Sequence, residues 1–283
     1  MTPHVPLLAL DTLWFQVAGT LCNIECTHCF ISSSPTNRSH AMLTLADVEA
    51  RLAEARELGV REYYFTGGEP FMNREMIPIL GATLKQGPAT VLTNGMLLSP
   101  RICAQLRELI DASEYSLDIR VSIDGFDRQS HDAIRGAGVW DRVMTGLRNL
   151  ASAGINPVIT VTETAAGIRS EEGRVRFLEL IRSFGFMKPR LKVLPLFRIG
   201  GEEKRSRAYA DWERIAELNE SDAEVLQCSS CRMVTSKGVY VCPILIETPE
   251  ARMGATLAES LRPFPLRYGA CHTCWVEGVS CRT

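Results

Sequence analysis

The sequence lacks the features that mark membrane-spanning, exported and nucleic-acid-binding proteins. It has no run of about 18 apolar residues that could form a transmembrane helix. Its first residues, MTPHVPLLALDTLWFQV, contain neither the basic start nor the long apolar core of a secretory signal. The 31 basic and 33 acidic residues nearly balance, so no excess of positive charge predicts binding to nucleic acid. We therefore expect a cytoplasmic protein with no membrane or nucleic-acid partner.

Internal repeats and low-complexity segments are also missing, apart from an alternation of short strands with helices. The predicted strands cover residues 13–18, 62–68, 89–95, 117–125, 156–163 and 190–195, and the predicted helices cover residues 44–59, 74–86, 99–110, 140–153 and 171–185. The strands are short and rich in Val, Ile and Leu, which is typical of a parallel sheet covered on both faces. Residues 1–201 are therefore predicted to form an α/β fold, a partial (β/α)6 TIM-like barrel.

The ten cysteines fall mostly into two groups, near the two ends of the chain. Without an export signal, clustered cysteines favour metal binding over disulfides. Cys103 stands apart in a predicted helix and is expected to be a small buried apolar residue. Cys22, Cys26 and Cys29 lie in the loop after the first strand, and such loops form the catalytic end of β/α barrels. A structural zinc ion usually has four protein ligands, so three thiolates leave an open position that suits a reactive centre.

The C-x3-C-x2-C spacing of these cysteines resembles that of the radical S-adenosylmethionine (SAM) superfamily. In that family three cysteines bind three irons of a 4Fe–4S cluster, and the fourth iron chelates SAM. One electron then cleaves SAM to a 5′-deoxyadenosyl radical, which abstracts a hydrogen atom from the substrate. Further motifs follow successive strands in the family's order: TGGEP (66–70), LTNG (92–95), VSIDG (121–125) and HDAIRG (131–136). A zinc or redox-sensing loop is the alternative for the three cysteines.

The resemblance also implies which residues bind SAM. The amino group is expected at Gly67, Gly68 and Glu69, where two glycines allow the backbone to approach a ligand closely. Ser122 is expected at the ribose, and Arg135 at the carboxylate, where a guanidinium can pair with both oxygens.

The remaining SAM contacts implied by the resemblance are His28, Asn94 and Leu194. His28 precedes the third cysteine, where the family usually has an aromatic ring against adenine, and Leu194 is a further candidate for the adenine pocket. Each feature also has a structural interpretation. GGEP can be a turn, Arg135 a surface residue and His28 a cluster ligand.

The second cysteine group lies in residues 228–283, after a charged stretch at 202–227 that is predicted to be a connecting helix. This segment is too small for a good core of its own, so it is expected to need a metal to fold. Its cysteines are Cys228, Cys231, Cys242, Cys271, Cys274 and Cys281. The pattern resembles the SPASM and twitch auxiliary-cluster domains, although three residues separate Gly238 from Cys242 where the family has four.

Two ligand schemes remain open for one or two auxiliary clusters, which are expected to be of the 4Fe–4S type. One scheme uses Cys228, Cys242, Cys271 and Cys274 and leaves Cys231 and Cys281 spare. The other divides the six cysteines into two sets of three. A structural zinc site built from the two C-x2-C pairs is the alternative.

The resemblance implies an oxidoreductase-type enzyme in which an auxiliary cluster accepts the electron left on the substrate. The short stretch before the first strand leaves no room for an N-terminal peptide-recognition domain, so a small-molecule substrate is favoured over a peptide. A flavodoxin- or ferredoxin-type electron donor is expected. The alternatives are a maturase acting on a peptide or protein side chain, a methyl or group transferase, and a non-catalytic iron–sulfur or zinc protein.

Overall fold

Residues 2–165 and 167–278 are described by the computed structural model, and most of their strands form one nine-stranded sheet. The strands are β1 (His4–Val5), β2 (Thr12–Gln16), β3 (Glu62–Thr66), β4 (Ala89–Thr93), β5 (Leu117–Ser122), β6 (Val158–Thr162), β7 (Arg190–Leu194), β8 (Cys231–Thr235), β9 (Gly238–Tyr240), β10 (Arg252–Gly254) and β11 (Phe264–Pro265). The sheet order is β10-β9-β8-β2-β3-β4-β5-β6-β7. From β8 through β7 all neighbours are parallel, which confirms the predicted α/β partial barrel.

The helices follow the strands as the sequence predicts. They are α1 (Leu45–Glu57), α2 (Met76–Thr83), α3 (Pro100–Ala112), α4 (Arg128–Arg135), α5 (Val139–Ser152), α6 (Glu171–Ser183), α7 (Glu220–Val225) and α8 (Gly269–Glu277). Thr44 and Asp47 cap the start of α1 reciprocally, each side chain accepting the other's backbone N–H. The sequence analysis did not predict α4 or α8. The helix α4 spans only eight residues and contains just two apolar residues, although it buries one face through His131, Ile134 and Arg135. No helix within the described ranges is long and apolar enough to cross a membrane.

The two faces of the sheet bury different sets of side chains. Because side chains alternate along a strand, Leu13 and Phe15 of β2 belong to the core formed with the outer helices. Trp14 points to the other face and stacks on Tyr64 with ring centroids 4.5 Å apart. This inner face packs against the C-terminal segment, so that segment closes over the interior of the barrel.

The C-terminal segment contains strands and a helix, although the sequence analysis predicted no strand or helix after residue 227. β8 pairs in parallel with β2, and β9 and β10 continue the sheet in antiparallel fashion. The domain boundary at residue 228, which remains a prediction, therefore falls just before a strand of the main sheet. The stretch 202–227 is helical only in α7 and in short 3₁₀ turns, so the single connecting helix predicted there is wrong. Its charged side chains bind one another instead: Glu213 accepts hydrogen bonds from Arg198 and Arg207.

Candidate active site

The three N-terminal cysteines border one cavity of about 180 Å³ at the carboxyl end of the parallel strands. The thiols of Cys22, Cys26 and Cys29 are free. The pKa of Cys22 is raised to about 11 and that of Cys26 to about 12. Burial is the main cause, and the neighbouring Cys29 contributes to both values. Since a metal binds the thiolate, loading this site must release protons.

Backbone hydrogen bonds from three parts of the chain hold the cysteine loop. The N–H of Glu69 donates to Leu21 O at 3.1 Å, just before Cys22. The N–H of Thr27 donates to Ile134 O at 2.9 Å on α4, and the N–H of Gly201 donates to Cys29 O at 2.8 Å. These hydrogen bonds anchor the loop beside each of its cysteines, although the loop forms neither helix nor strand.

The glycines of TGGEP are required by the close packing of this loop. A Cβ atom on Gly68 would lie 2.0 Å from Leu21 O and 2.7 Å from Cys22 N, both backbone atoms. Gly67 has a φ of +142°, which side chains rarely tolerate. The motif thus positions the first cysteine, whatever else it contacts.

Most of the predicted SAM-binding residues border the same cavity as the cysteines. They are His28, Gly67, Gly68, Asn94, Ser122, Arg135 and Leu194. Asn94 also reaches the cysteine loop, since its side-chain amide lies 3.7 Å from Cys22 Sγ and 2.7 Å from Asn23 Oδ1. The predicted residues come from the ends of β2, β3, β4, β5 and β7, and Thr160 and Thr162 of β6 complete the wall of the same cavity.

Glu69 is the exception, because its side chain turns into the protein and does not line the cavity. The carboxylate is fully buried and accepts hydrogen bonds from Thr93 Oγ1 at 2.7 Å, Asn94 N at 2.8 Å and Phe71 N at 3.1 Å. Burial raises its pKa. Glu69 thus connects the ends of β3 and β4, so in this structure only the backbone of the GGE motif borders the cavity.

Asp124 joins two of the predicted residues, although the sequence analysis gave it no role beyond its place in the VSIDG motif. Its Oδ2 lies 2.7 Å from Arg135 Nε and 3.0 Å from His28 Nε2, and its Oδ1 accepts a hydrogen bond from Thr162 N at 2.8 Å. Burial alone would raise the pKa of Asp124, but the charges of Arg135 and His28 hold it well below its usual range. An ionised carboxylate therefore fixes the guanidinium and the imidazole together at the cavity wall.

His131 contacts the backbone of Asp124. Its Nδ1 accepts a hydrogen bond from Asp124 N at 3.3 Å, and its ring packs edge-on against Trp140. Burial and the charge of Arg135 lower the pKa of His131 to about 4, so the ring is neutral near pH 7. A neutral ring can accept at Nδ1, as this geometry requires.

The cavity wall also contains buried polar atoms that have no hydrogen-bond partner within residues 2–165 and 167–278. They are Thr160 Oγ1, Ser33 Oγ and His28 Nδ1. Buried polar groups are nearly always satisfied, so these atoms fit a polar ligand such as the ribose and amino acid parts of SAM. The polar Thr160 and Thr162 on the inner face of β6, in the sequence VITVT, are the signal that could have identified this wall from sequence.

The C-terminal cysteines converge on a second, apolar cavity. Cys228, Cys242, Cys271 and Cys274 line it together with Leu226, Ile244, Leu245 and Leu266. Cys231 does not line it, because its side chain projects from β8 and its Sγ lies 3.9 Å from Val241 O. Cys281 lies outside the described residues. In the described ranges no three Cys, His, Asp or Glu side chains are close enough to bind one metal ion, and each cysteine set instead borders a space.

Cys103 is buried on α3, as expected of a small apolar residue in a helix. Burial raises the pKa of its thiol to about 11, so it is neutral at physiological pH. It takes part in neither cysteine set.

Comparison with known proteins agrees with this geometry. A family model described as "Radical SAM superfamily" matches residues 17–181. The mycofactocin maturase MftC of Mycolicibacterium smegmatis is 31% identical over 134 residues, which cover 47% of this chain and 32% of MftC. The AdoMet-dependent heme synthase of Methanosarcina barkeri is 31% identical over 205 residues, which cover 71% of this chain and 55% of that protein.

Among solved structures, SuiB of Streptococcus suis bound to the precursor peptide SuiA superposes with a TM-score of 0.69 at 18% identity. The match covers 94% of this chain and 66% of SuiB, and SuiB has also been solved with S-adenosylmethionine. At this identity the likeness concerns the fold. The family model covers more than half of the chain, from the end of β2 through most of α6, and this chain therefore belongs to the radical SAM superfamily.

Proposed function

We propose that this protein cleaves SAM reductively at the N-terminal cysteine site and oxidises its substrate with the help of a C-terminal iron–sulfur cluster. The observation that carries the proposal is that three free thiols and seven of the expected SAM contacts border one cavity. Membership of the family implies a 4Fe–4S cluster and SAM. Together these groups supply a 5′-deoxyadenosyl radical that removes a hydrogen atom from the substrate.

The protein's own residues would bind and orient SAM. Cys22, Cys26 and Cys29 would ligate the cluster, which leaves its fourth iron for SAM. Arg135 is held through Nε by Asp124, and its Nη1 lies 3.9 Å from Cys26 Sγ, so its guanidinium would meet the SAM carboxylate beside the cysteine loop. His28 is held through Nε2, which fixes the plane of the ring that would border adenine. Glu69 would act by ordering the loop rather than by contacting the amino group.

The four-cysteine scheme is our proposal for the C-terminal cluster. Cys228, Cys242, Cys271 and Cys274 line one cavity whose wall is otherwise largely apolar. Burial is the main cause that raises the pKa values of Cys228 and Cys271, and the neighbouring Cys242 raises both as well. Burial and hydrogen bonding to sulfur tune the potential of such a cluster. The substrate, after losing a hydrogen atom, would pass one electron to this cluster and release a proton, and a flavodoxin- or ferredoxin-type protein would supply the electron that cleaves SAM.

For the substrate we favour a peptide or protein side chain, in place of the small molecule favoured by the sequence analysis. SuiB, whose fold covers 94% of this chain, was solved with a precursor peptide, and MftC is named a maturase. The small-molecule argument relied on the short stretch before the first strand, and that argument does not hold for a chain that matches only part of each relative. The name of the heme synthase relative supports a small molecule as the second candidate.

The enzyme assay tests the reaction class directly. The anaerobically reconstituted protein, incubated with SAM and dithionite, is expected to form 5′-deoxyadenosine. S-adenosylhomocysteine as the main product would instead indicate a methyltransferase, and neither product would indicate a non-catalytic protein. A cell extract is then divided by ultrafiltration into a macromolecular and a small-molecule fraction. The fraction that contains the substrate should accelerate 5′-deoxyadenosine formation, which distinguishes the two substrate classes.

The ligand scheme predicts how iron content depends on individual cysteines. Replacing Cys228, Cys242, Cys271 and Cys274 with alanine should remove about four irons per chain, whereas Cys231→Ala should retain them because its thiol lies outside the cavity. Iron and acid-labile sulfide are measured after anaerobic reconstitution. Equal iron loss in the Cys231→Ala variant would support the two-cluster scheme, and zinc in place of iron would support the structural zinc site.

A further inference from the structure

Arg232 is a buried cation beside the C-terminal cysteines. It lies on β8 and is 1% exposed. Its guanidinium donates hydrogen bonds to four backbone carbonyls: Ser260 O at 2.9 Å, Cys228 O at 2.8 Å, Cys231 O at 2.7 Å and Arg262 O at 3.0 Å. Among the described residues no carboxylate forms an ion pair with it. Its hydrogen bonds are therefore satisfied, but its charge is not balanced.

An unbalanced charge in a protein interior is costly, and buried charges are normally paired. Arg232 donates hydrogen bonds to the backbone carbonyls of Cys228 and Cys231. Cys228 lines one cavity with Cys242, Cys271 and Cys274. These cysteines are therefore the source of negative charge that the structure places beside Arg232.

The cysteines supply negative charge when a metal centre holds them as thiolates. With an iron–sulfur cluster bound, the thiolates and the cluster make the region anionic. Arg232 also binds the backbone carbonyl of Cys228 directly, which keeps the cation close to a cluster ligand.

We propose that Arg232 is the fixed counter-charge of the C-terminal cluster and raises its reduction potential. The inference rests on the C-terminal cluster proposed above and does not concern the cluster at Cys22, Cys26 and Cys29. Reduction adds one electron and therefore one negative charge, which a nearby cation stabilises. Arg232 would thus make the cluster a better acceptor for the electron that leaves the substrate.

The test measures the reduction potential of this cluster alone. The background is the full-length Cys22→Ala/Cys26→Ala/Cys29→Ala variant, and the potential is read from an anaerobic redox titration followed by electron paramagnetic resonance. Arg232→Gln is expected to shift the reduction equilibrium at least tenfold towards the oxidised form, which is a fall of about 59 mV for one electron. Arg232→Lys should keep the potential near that of the background. The matched control Arg262→Gln alters an exposed neighbouring arginine and should also leave the potential unchanged.

The outcomes distinguish the two proposals. If the background binds zinc or no metal, the C-terminal cluster is wrong and the role of Arg232 is wrong with it. If the background binds the cluster and Arg232→Gln leaves the potential unchanged, only the role of Arg232 is wrong. If Arg232→Gln fails to assemble the cluster, Arg232→Lys decides the matter. If Arg232→Lys regains the iron and has the potential of the background, the counter-charge role is supported. If Arg232→Lys also fails to assemble the cluster, that role is contradicted.

Discussion

Replacing Cys22, Cys26 and Cys29 together with alanine is expected to abolish 5′-deoxyadenosine formation while the protein keeps about four irons per chain. The three thiols are the only ones that border the cavity formed by the predicted SAM contacts in the described ranges. Without them no iron can be held where SAM would bind. The C-terminal cysteines line a separate cavity, so their iron should remain. Iron, sulfide and 5′-deoxyadenosine are measured on the same anaerobic preparation.

The matched control is Cys103→Ala, which removes a buried thiol that lies on α3 and borders neither cavity. It should keep the iron content of the wild type and its rate of SAM cleavage. Loss of all iron from the triple variant would contradict a separate C-terminal cluster. Continued SAM cleavage by the triple variant would contradict the assignment of the radical-generating site.

Asp124→Asn is expected to lower the free energy of unfolding by about 3–5 kcal/mol, the usual effect of breaking a buried ion pair. The substitution keeps the shape of the side chain but removes the charge that balances Arg135, whose guanidinium is also buried. We also expect weaker SAM binding, because Arg135 and His28 lose the shared partner that orients them. Urea unfolding gives the first quantity, and equilibrium binding of SAM to reconstituted protein gives the second.

The control for Asp124 is Asp141→Asn, which breaks the exposed ion pair with Arg128. Exposed pairs contribute about 1 kcal/mol or less, so this variant should unfold nearly as the wild type does. An Asp124→Asn variant that is as stable as Asp141→Asn and binds SAM with unchanged affinity would show that Arg135 and His28 are held by other contacts.

The strands and most helices could be predicted from the sequence because their signals are local. In β2, for instance, Leu13, Trp14 and Phe15 form a continuous apolar run, and Thr44 caps the start of a helix. The helix α4 and the strand β8 could not be predicted in this way. The first has only eight residues, two of them apolar, and the second depends on pairing with β2, which lies far away in the chain.

The cysteine loop could likewise be identified from spacing, because a short loop must carry its ligands at fixed intervals. The inward turn of Glu69 and the role of Asp124 could not, since each depends on side chains that meet only after the strands have aligned. The same holds for the C-terminal cysteines, where spacing left two schemes and the tertiary structure places Cys228, Cys242 and the two cysteines of α8 around one cavity.

The sequence alone therefore determined the order of the β/α units, the cysteine loop and the family motifs, all of which are encoded in short stretches of chain. Only the tertiary structure decided which residues share a cavity, that Asp124 balances Arg135, and that buried Arg232 pairs with no carboxylate among the described residues. The physical reason is that burial and charge balance arise from the three-dimensional arrangement of side chains. They depend on contacts between residues distant in the chain, which no local pattern specifies.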